Sequence, residues 1–109
     1  MADELSRSGF IILLSLSDRP RHGLGVVEDI EERTLGAVKL GPGTLYGTLK
    51  RLVDLGLVRE TDSPPDPAND DPRRRYYEVT PEGRRAVAEE AARMRQLVEL
   101  AGAKQVLEA

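Results

Sequence analysis

The chain has 109 residues, with 16 Lys and Arg against 19 Asp and Glu, one His, and neither Cys nor Trp. That length suits one domain with a modest core, and the lack of cysteine excludes disulfides, thiolate metal sites and cysteine nucleophiles. The longest apolar run, Phe10 to Leu14, is far short of the roughly 20 residues a membrane span needs, so a soluble cytoplasmic chain without a signal peptide is expected.

Residues 3–17 read as a first helix, apolar nearly all round through Leu5, Phe10, Ile11, Ile12, Leu13, Leu14 and Leu16. A short helix of that kind needs cover on several sides, from its own core or from a second chain. Pro20 disfavours helical backbone at Arg19 and closes the helix. A second helix is predicted from about Gly23 to Thr34. Leu24, Val27 and Ile30 recur every three residues there, Glu28, Asp29, Glu31 and Glu32 supply a solvated face, and Gly36 ends it. Val38 to Leu40 then reads as a very short extended segment.

The third helix, residues 41–55, has the clearest start. Gly41 serves as N-cap, Pro42 fits the first helical position, and Leu40 and Leu45 stand at the two positions of a hydrophobic staple. Leu45, Leu49 and Leu52 make a buried stripe, and Gly43, Gly47, Lys50 and Asp54 fall opposite it, flanked by Tyr46, Thr44 and Arg51. Gly56 ends the helix. Residues 57–61 and 75–79 read as two strands joined by a loop with four prolines. On the second strand Tyr77 and Val79 share one face, Tyr76 and Glu78 the other. Thr80-Pro81 opens a last helix, whose Val87, Ala91, Met94, Leu97, Val98 and Ala101 form a heptad-like seam. The fold class expected is mainly α with a small β-hairpin: a winged helix-turn-helix over residues 1–80, followed by a dimerisation helix over 81–109, in one structural domain.

The net charge of −3 hides a segregation. Residues 37–60 carry +2 and residues 73–85 carry +3, while residues 61–72 between them carry −4. Screening confines each field to about 10 Å, so these islands matter more to a polyanion than the sum. On the third helix Thr44, Tyr46, Thr48, Lys50 and Arg51 offer hydroxyls, an aromatic edge and cations, the groups that bond phosphates and reach base edges. Gly43 and Gly47 would let backbone approach DNA closely. Arg73, Arg74 and Arg75 on the wing point alternately to both faces and suit phosphate, or else neutralise Asp66, Asp70 and Asp71 of the same hairpin. The terminal seam, with Leu5 and Phe10 of the first helix, is a candidate dimer interface, or packs back within its own chain.

Enzyme signatures are weak. His22 stands alone, without a second His or Cys for a metal, and suits a turn or helix start better than catalysis. Gly41-Pro42-Gly43 lacks the Gly-Lys-Ser/Thr of a phosphate loop. No enzyme activity, cofactor or metal is expected.

In three segments, RPRHGLGVVEDIEERT, GPGTLYGTLKRLVDLGLV and RRRYYEVTPEGRR, the sequence resembles the PadR family of bacterial transcriptional regulators, in its short form, over roughly residues 11–86. The resemblance implies a dimeric winged-helix DNA-binding protein, usually a repressor, with Thr44-Leu45-Tyr46 on the presented helix and dimerisation through the last one. Leu24 departs from the family's frequent aromatic residue after His-Gly, and Gly47 from its frequent proline after the tyrosine. The wing is longer, more acidic and richer in proline. Some short members bind flat aromatic drugs through an interface tryptophan that this chain lacks. The expected function is a homodimeric, sequence-specific regulator of transcription, a repressor, on a two-fold-related operator in double-stranded DNA, with any small-molecule inducer unidentified. The alternative is a winged-helix protein-interaction or ligand-sensing module without specific DNA binding.

Overall fold

A computed structural model of the chain describes residues 5–62 and 75–107. Its elements in chain order are α1 (Arg7–Leu16), β1 (Arg21–His22), α2 (Gly23–Arg33), α3 (Pro42–Asp54), β2 (Val58–Thr61), β3 (Tyr76–Val79) and α4 (Pro81–Ala103). The helices start where local chemistry says they should. Ser6 and Thr80 accept the N–H groups of Gly9 and Gly83, each at 3.0 Å, and Pro42 and Pro81 occupy first-turn positions that need no donor. α1 is shorter at its start than the 3–17 expected, because Ser6 caps it.

One core holds these elements together. Ile12, Leu13 and Leu16 of α1, Val26 and Ile30 of α2, Leu45, Leu49 and Leu52 of α3, Val58 of β2 and Tyr77 and Val79 of β3 are all buried in it. Each such aliphatic side chain contributes about 1.5–3 kcal/mol relative to exposure. Val87 of α4 belongs to the same cluster. The terminal seam therefore begins as part of this chain's own core, and Val87 is withdrawn from the surface assigned to a second chain. Leu5 and Phe10 also pack against the core, though only partly buried.

The sheet differs from the hairpin expected. It has three antiparallel strands in the order β1-β3-β2, with Arg21 opposite Tyr77 and His22 opposite Tyr76 on one side of β3. On the other side Val58 faces Val79 and Glu60 faces Tyr77. Tyr76, on the face it shares with Glu78, is also buried, and the His22 ring stands edge-on to it at 5.5 Å between centroids. Residues 38–40 form no strand.

Two helix ends close in the same way with different residues. After α3, the Gly56 N–H donates to Val53 O and the Leu57 N–H to Leu52 O, with Gly56 at φ +76°. After α2, the Leu35 N–H donates to Glu32 O and the Gly36 N–H to Glu31 O. Both are Schellman closures. In the second the first left-handed residue is Leu35, at φ +54° and 95% exposed, one position before Gly36, the stop expected from the sequence.

Arg21 is buried at 8% exposure and ties α1, β1 and α2 together. Its Nε donates to Ser15 O at 3.0 Å, and its Nη2 pairs with Asp18 at 3.2 Å and Asp29 at 3.4 Å. Asp29 also accepts from Ser15 Oγ at 2.7 Å and from Arg33 Nε at 2.8 Å. Burial pushes the Asp29 carboxyl up, but the hydrogen bonds from Arg33 and Ser15 and the charges of Arg21 and Arg33 outweigh it. The net result holds this carboxyl below its ordinary value.

Candidate nucleic-acid interface

The buried stripe of α3 leaves the opposite side of the helix to solvent. Thr44, Tyr46, Lys50 and Arg51 are exposed there and Thr48 is half-buried. These side chains are brought together on one helix, beside the wing strands β2 and β3. A β-carbon built on Gly43 or Gly47 would meet nothing within 4 Å, so neither glycine answers to packing inside the chain.

Tyr46 has a second role that sequence reading missed. Its ring lies against the backbone of Gly23, where an added β-carbon would be 2.7 Å from the tyrosine hydroxyl and 3.0 Å from ring carbons. Gly23 is therefore the seat on which the Tyr46 ring rests at the start of α2, and a larger residue there would displace the ring. Nothing in the local sequence signals this, because the two residues are far apart in the chain. His22 is the N-cap of α2, its Nδ1 accepting the Gly25 N–H at 3.1 Å, which accords with the helix-start role expected for it. No cluster of metal-ligating side chains occurs among the described residues.

Several cations of this face are engaged by carboxylates. Lys50 Nζ pairs with Asp54 at 3.1 Å, Arg59 with Glu78 at 2.9 Å and Arg75 with Glu60 at 3.2 Å. The pairs are solvated and of the kind worth about 0–1 kcal/mol, so an incoming phosphate can exchange with the carboxylate. Arg73, Arg74 and the acidic Asp66, Asp70 and Asp71 lie outside the described residues.

Beyond Val87, α4 runs for four further turns with little of its own chain against it. Ala91 is exposed, Met94 and Ala101 are half-buried, and Leu97 and Val98 are 63% and 54% exposed. Leu100, which lies outside the seam read from the sequence, is also exposed, as is Leu14 among the apolar residues around α1. No helix among the described residues is long and apolar enough to cross a membrane.

Solved structures share this architecture. A PadR family transcription regulator from hypervirulent Clostridium difficile is 22% identical, with a TM-score of 0.76 over 92% of this chain and 99% of that one; it shows the likeness of fold. RosR of H. salinarum is 27% identical, with a TM-score of 0.67 and 97% of each chain covered. In sequence, a 37.1 kDa protein of transposon TN4556 from Streptomyces fradiae is 37% identical over 87 residues, and this chain spans 23% of its length. The model of the Transcriptional regulator PadR-like family matches residues 12–89, from within α1 through the wing to the first turns of α4. With most of the chain matched and the winged helix in place, the chain belongs to this family of transcriptional regulators.

Proposed function

We propose that the chain works as a homodimeric repressor on a two-fold-related operator. The observation that carries this reading is the outward face of α3, where polar and cationic side chains surround two glycines that packing does not require. A glycine costs an interior helical position about 1 kcal/mol relative to alanine. Bare backbone at such a place is useful when a large partner must come close, and a major groove admits a helix in that way. Thr44, Tyr46 and Thr48 then position the helix or read bases, while Lys50 and Arg51 bond phosphates or bases. Arg73, Arg74 and Arg75 hold the flanking backbone.

Dimerisation rests on residues 81–109, and residues 1–80 form the DNA-binding part. The apolar side chains that α4 leaves uncovered, Leu97 and Val98 above all, support a second copy as the cover. Two copies related by a two-fold axis would present their α3 helices to half-sites about 34–36 Å apart. In a mobility-shift titration on the DNA upstream of its own coding region, the chain should give a specific complex. Arg51→Ala should weaken that complex at least tenfold, and Leu97→Glu should yield monomers in sedimentation equilibrium that no longer shift the duplex. A Leu97→Glu chain that remains dimeric, or an unshifted duplex with the unaltered chain in low salt, rejects the proposal.

A further inference from the structure

Asp54 is placed against the interests of its helix. It is the last residue of α3, where the exposed carbonyl groups give the helix a negative end and a carboxylate is unfavourable. Its partner Lys50 lies four residues before it, and lysine preceding an acid is the weaker order for such a pair. Helix stability therefore does not account for Asp54. What the carboxylate does achieve is to draw Lys50 Nζ to 3.1 Å, toward the C-terminal end of α3 and away from the end that reads bases in helix-turn-helix proteins.

Glu60 holds Arg75 in a comparable way. The neighbouring pair Arg59–Glu78 joins residues directly opposite in the sheet register, which is enough to explain it as a cross-strand contact. Glu60 instead stands opposite Tyr77 and reaches diagonally to Arg75 Nη1 at 3.2 Å. Both carboxylates thus occupy cations that the reading above assigns to DNA, and all four side chains are at least half exposed.

We propose that Asp54 and Glu60 are specificity-determining residues that brake sequence-independent binding, standing in for phosphate on Lys50 and Arg75 until a duplex displaces them. Binding to arbitrary DNA is driven almost wholly by cation–phosphate contacts and counterion release, so it suffers most when the cations already have partners. A matched site retains its base contacts and overcomes the exchange. The inference rests on the DNA-binding reading and adds to it a role for two acids.

The test is fluorescence anisotropy of the full chain on two labelled duplexes of about three helical turns, one of random sequence and one from the chain's own upstream DNA, over about 50–200 mM salt. Asp54→Asn and Glu60→Gln should each tighten binding to the random duplex at least threefold. Each should also steepen the dependence of log affinity on log salt by up to about 0.9, the value for one cation set free. In the Lys50→Gln background Asp54→Asn should have no effect, because there is no lysine to release. Equal tightening in that background would mean a general loss of negative charge and overturns the inference, as does an Asp54→Asn chain with unchanged affinity. If neither duplex binds the unaltered chain or any variant, the proposed function fails first and this inference with it.

Discussion

At the base of α4, a β-carbon on Gly83 would come within 2.1 Å of the Leu57 carbonyl oxygen, while on α3 a β-carbon on Gly47 would meet nothing within 4 Å. Both glycines sit inside helices that would be stiffer with alanine. At Gly83 the reason is internal. Thr80 donates its N–H to Leu57 O at 3.0 Å and its Oγ1 to Gly56 O at 2.7 Å, clamping the start of α4 onto the turn after α3, and only a bare Cα fits beneath that clamp. At Gly47 the chain supplies no such reason. The difference separates residues chosen by the fold from residues that look outward.

The largest expected effect comes from the first kind. Gly83→Ala should cost about 3 kcal/mol or more, the upper end for overpacking, because the atom in the way is backbone that cannot rotate aside. A urea midpoint unchanged from the unaltered chain would erase the contrast between the two glycines. Of intermediate size is Asp29→Asn, expected to cost about 1–3 kcal/mol because Arg21 and Ser15 lose a buried acceptor. The folded Asp29 carboxyl is held below its ordinary value, so its stabilisation is fully present above the unfolded carboxylate range and is lost as pH falls through the folded value. Asp29→Asn should therefore flatten the loss of stability below about pH 4; parallel acid limbs for the two chains would show the network to be neutral. The smallest change sharpens the comparison from the other side. Gly47→Ala should raise stability by up to about 1 kcal/mol yet weaken DNA binding in the same preparation. A stabilised chain with undiminished affinity would mean that close approach at Gly47 is not used.

Much of this was legible in the sequence wherever its cause is local. The N-caps at Gly41 and Thr80, the prolines after them and the stripe Leu45, Leu49 and Leu52 each rest on neighbours within a turn or two, and the structure has them as expected. The family likewise emerged from the order and spacing of three segments. What escaped depends on distant partners. A two-residue strand such as β1 has no period to detect and exists only because β3 passes beside it. Arg21, whose partners are near in sequence, still reads as one more surface charge until the turn from α1 into α2 folds Ser15, Asp18 and Asp29 onto its guanidinium. Gly36 marks the stop in the sequence, but the left-handed turn starts one residue sooner, at a leucine whose near-complete exposure leaves nothing to hold it elsewhere. Val87 fits the terminal seam by spacing alone, and only the assembled core shows that it is buried within its own chain.

The order of strands also has a consequence in time. β3 is the central strand, and it is made last of the three, more than fifty residues after the β1 segment it pairs with. Closing so long a loop carries an entropic cost that must be met before the pairing returns anything, which is the feature that slows folding of chains rich in distant contacts. A nascent chain that has released α1, α2 and α3 from the ribosome therefore still lacks the partner that buries His22 against Tyr76 and fixes the first turn of α2. The helices α1 to α3 are synthesised early, but their arrangement with the wing is completed only once residues 76–79 have emerged.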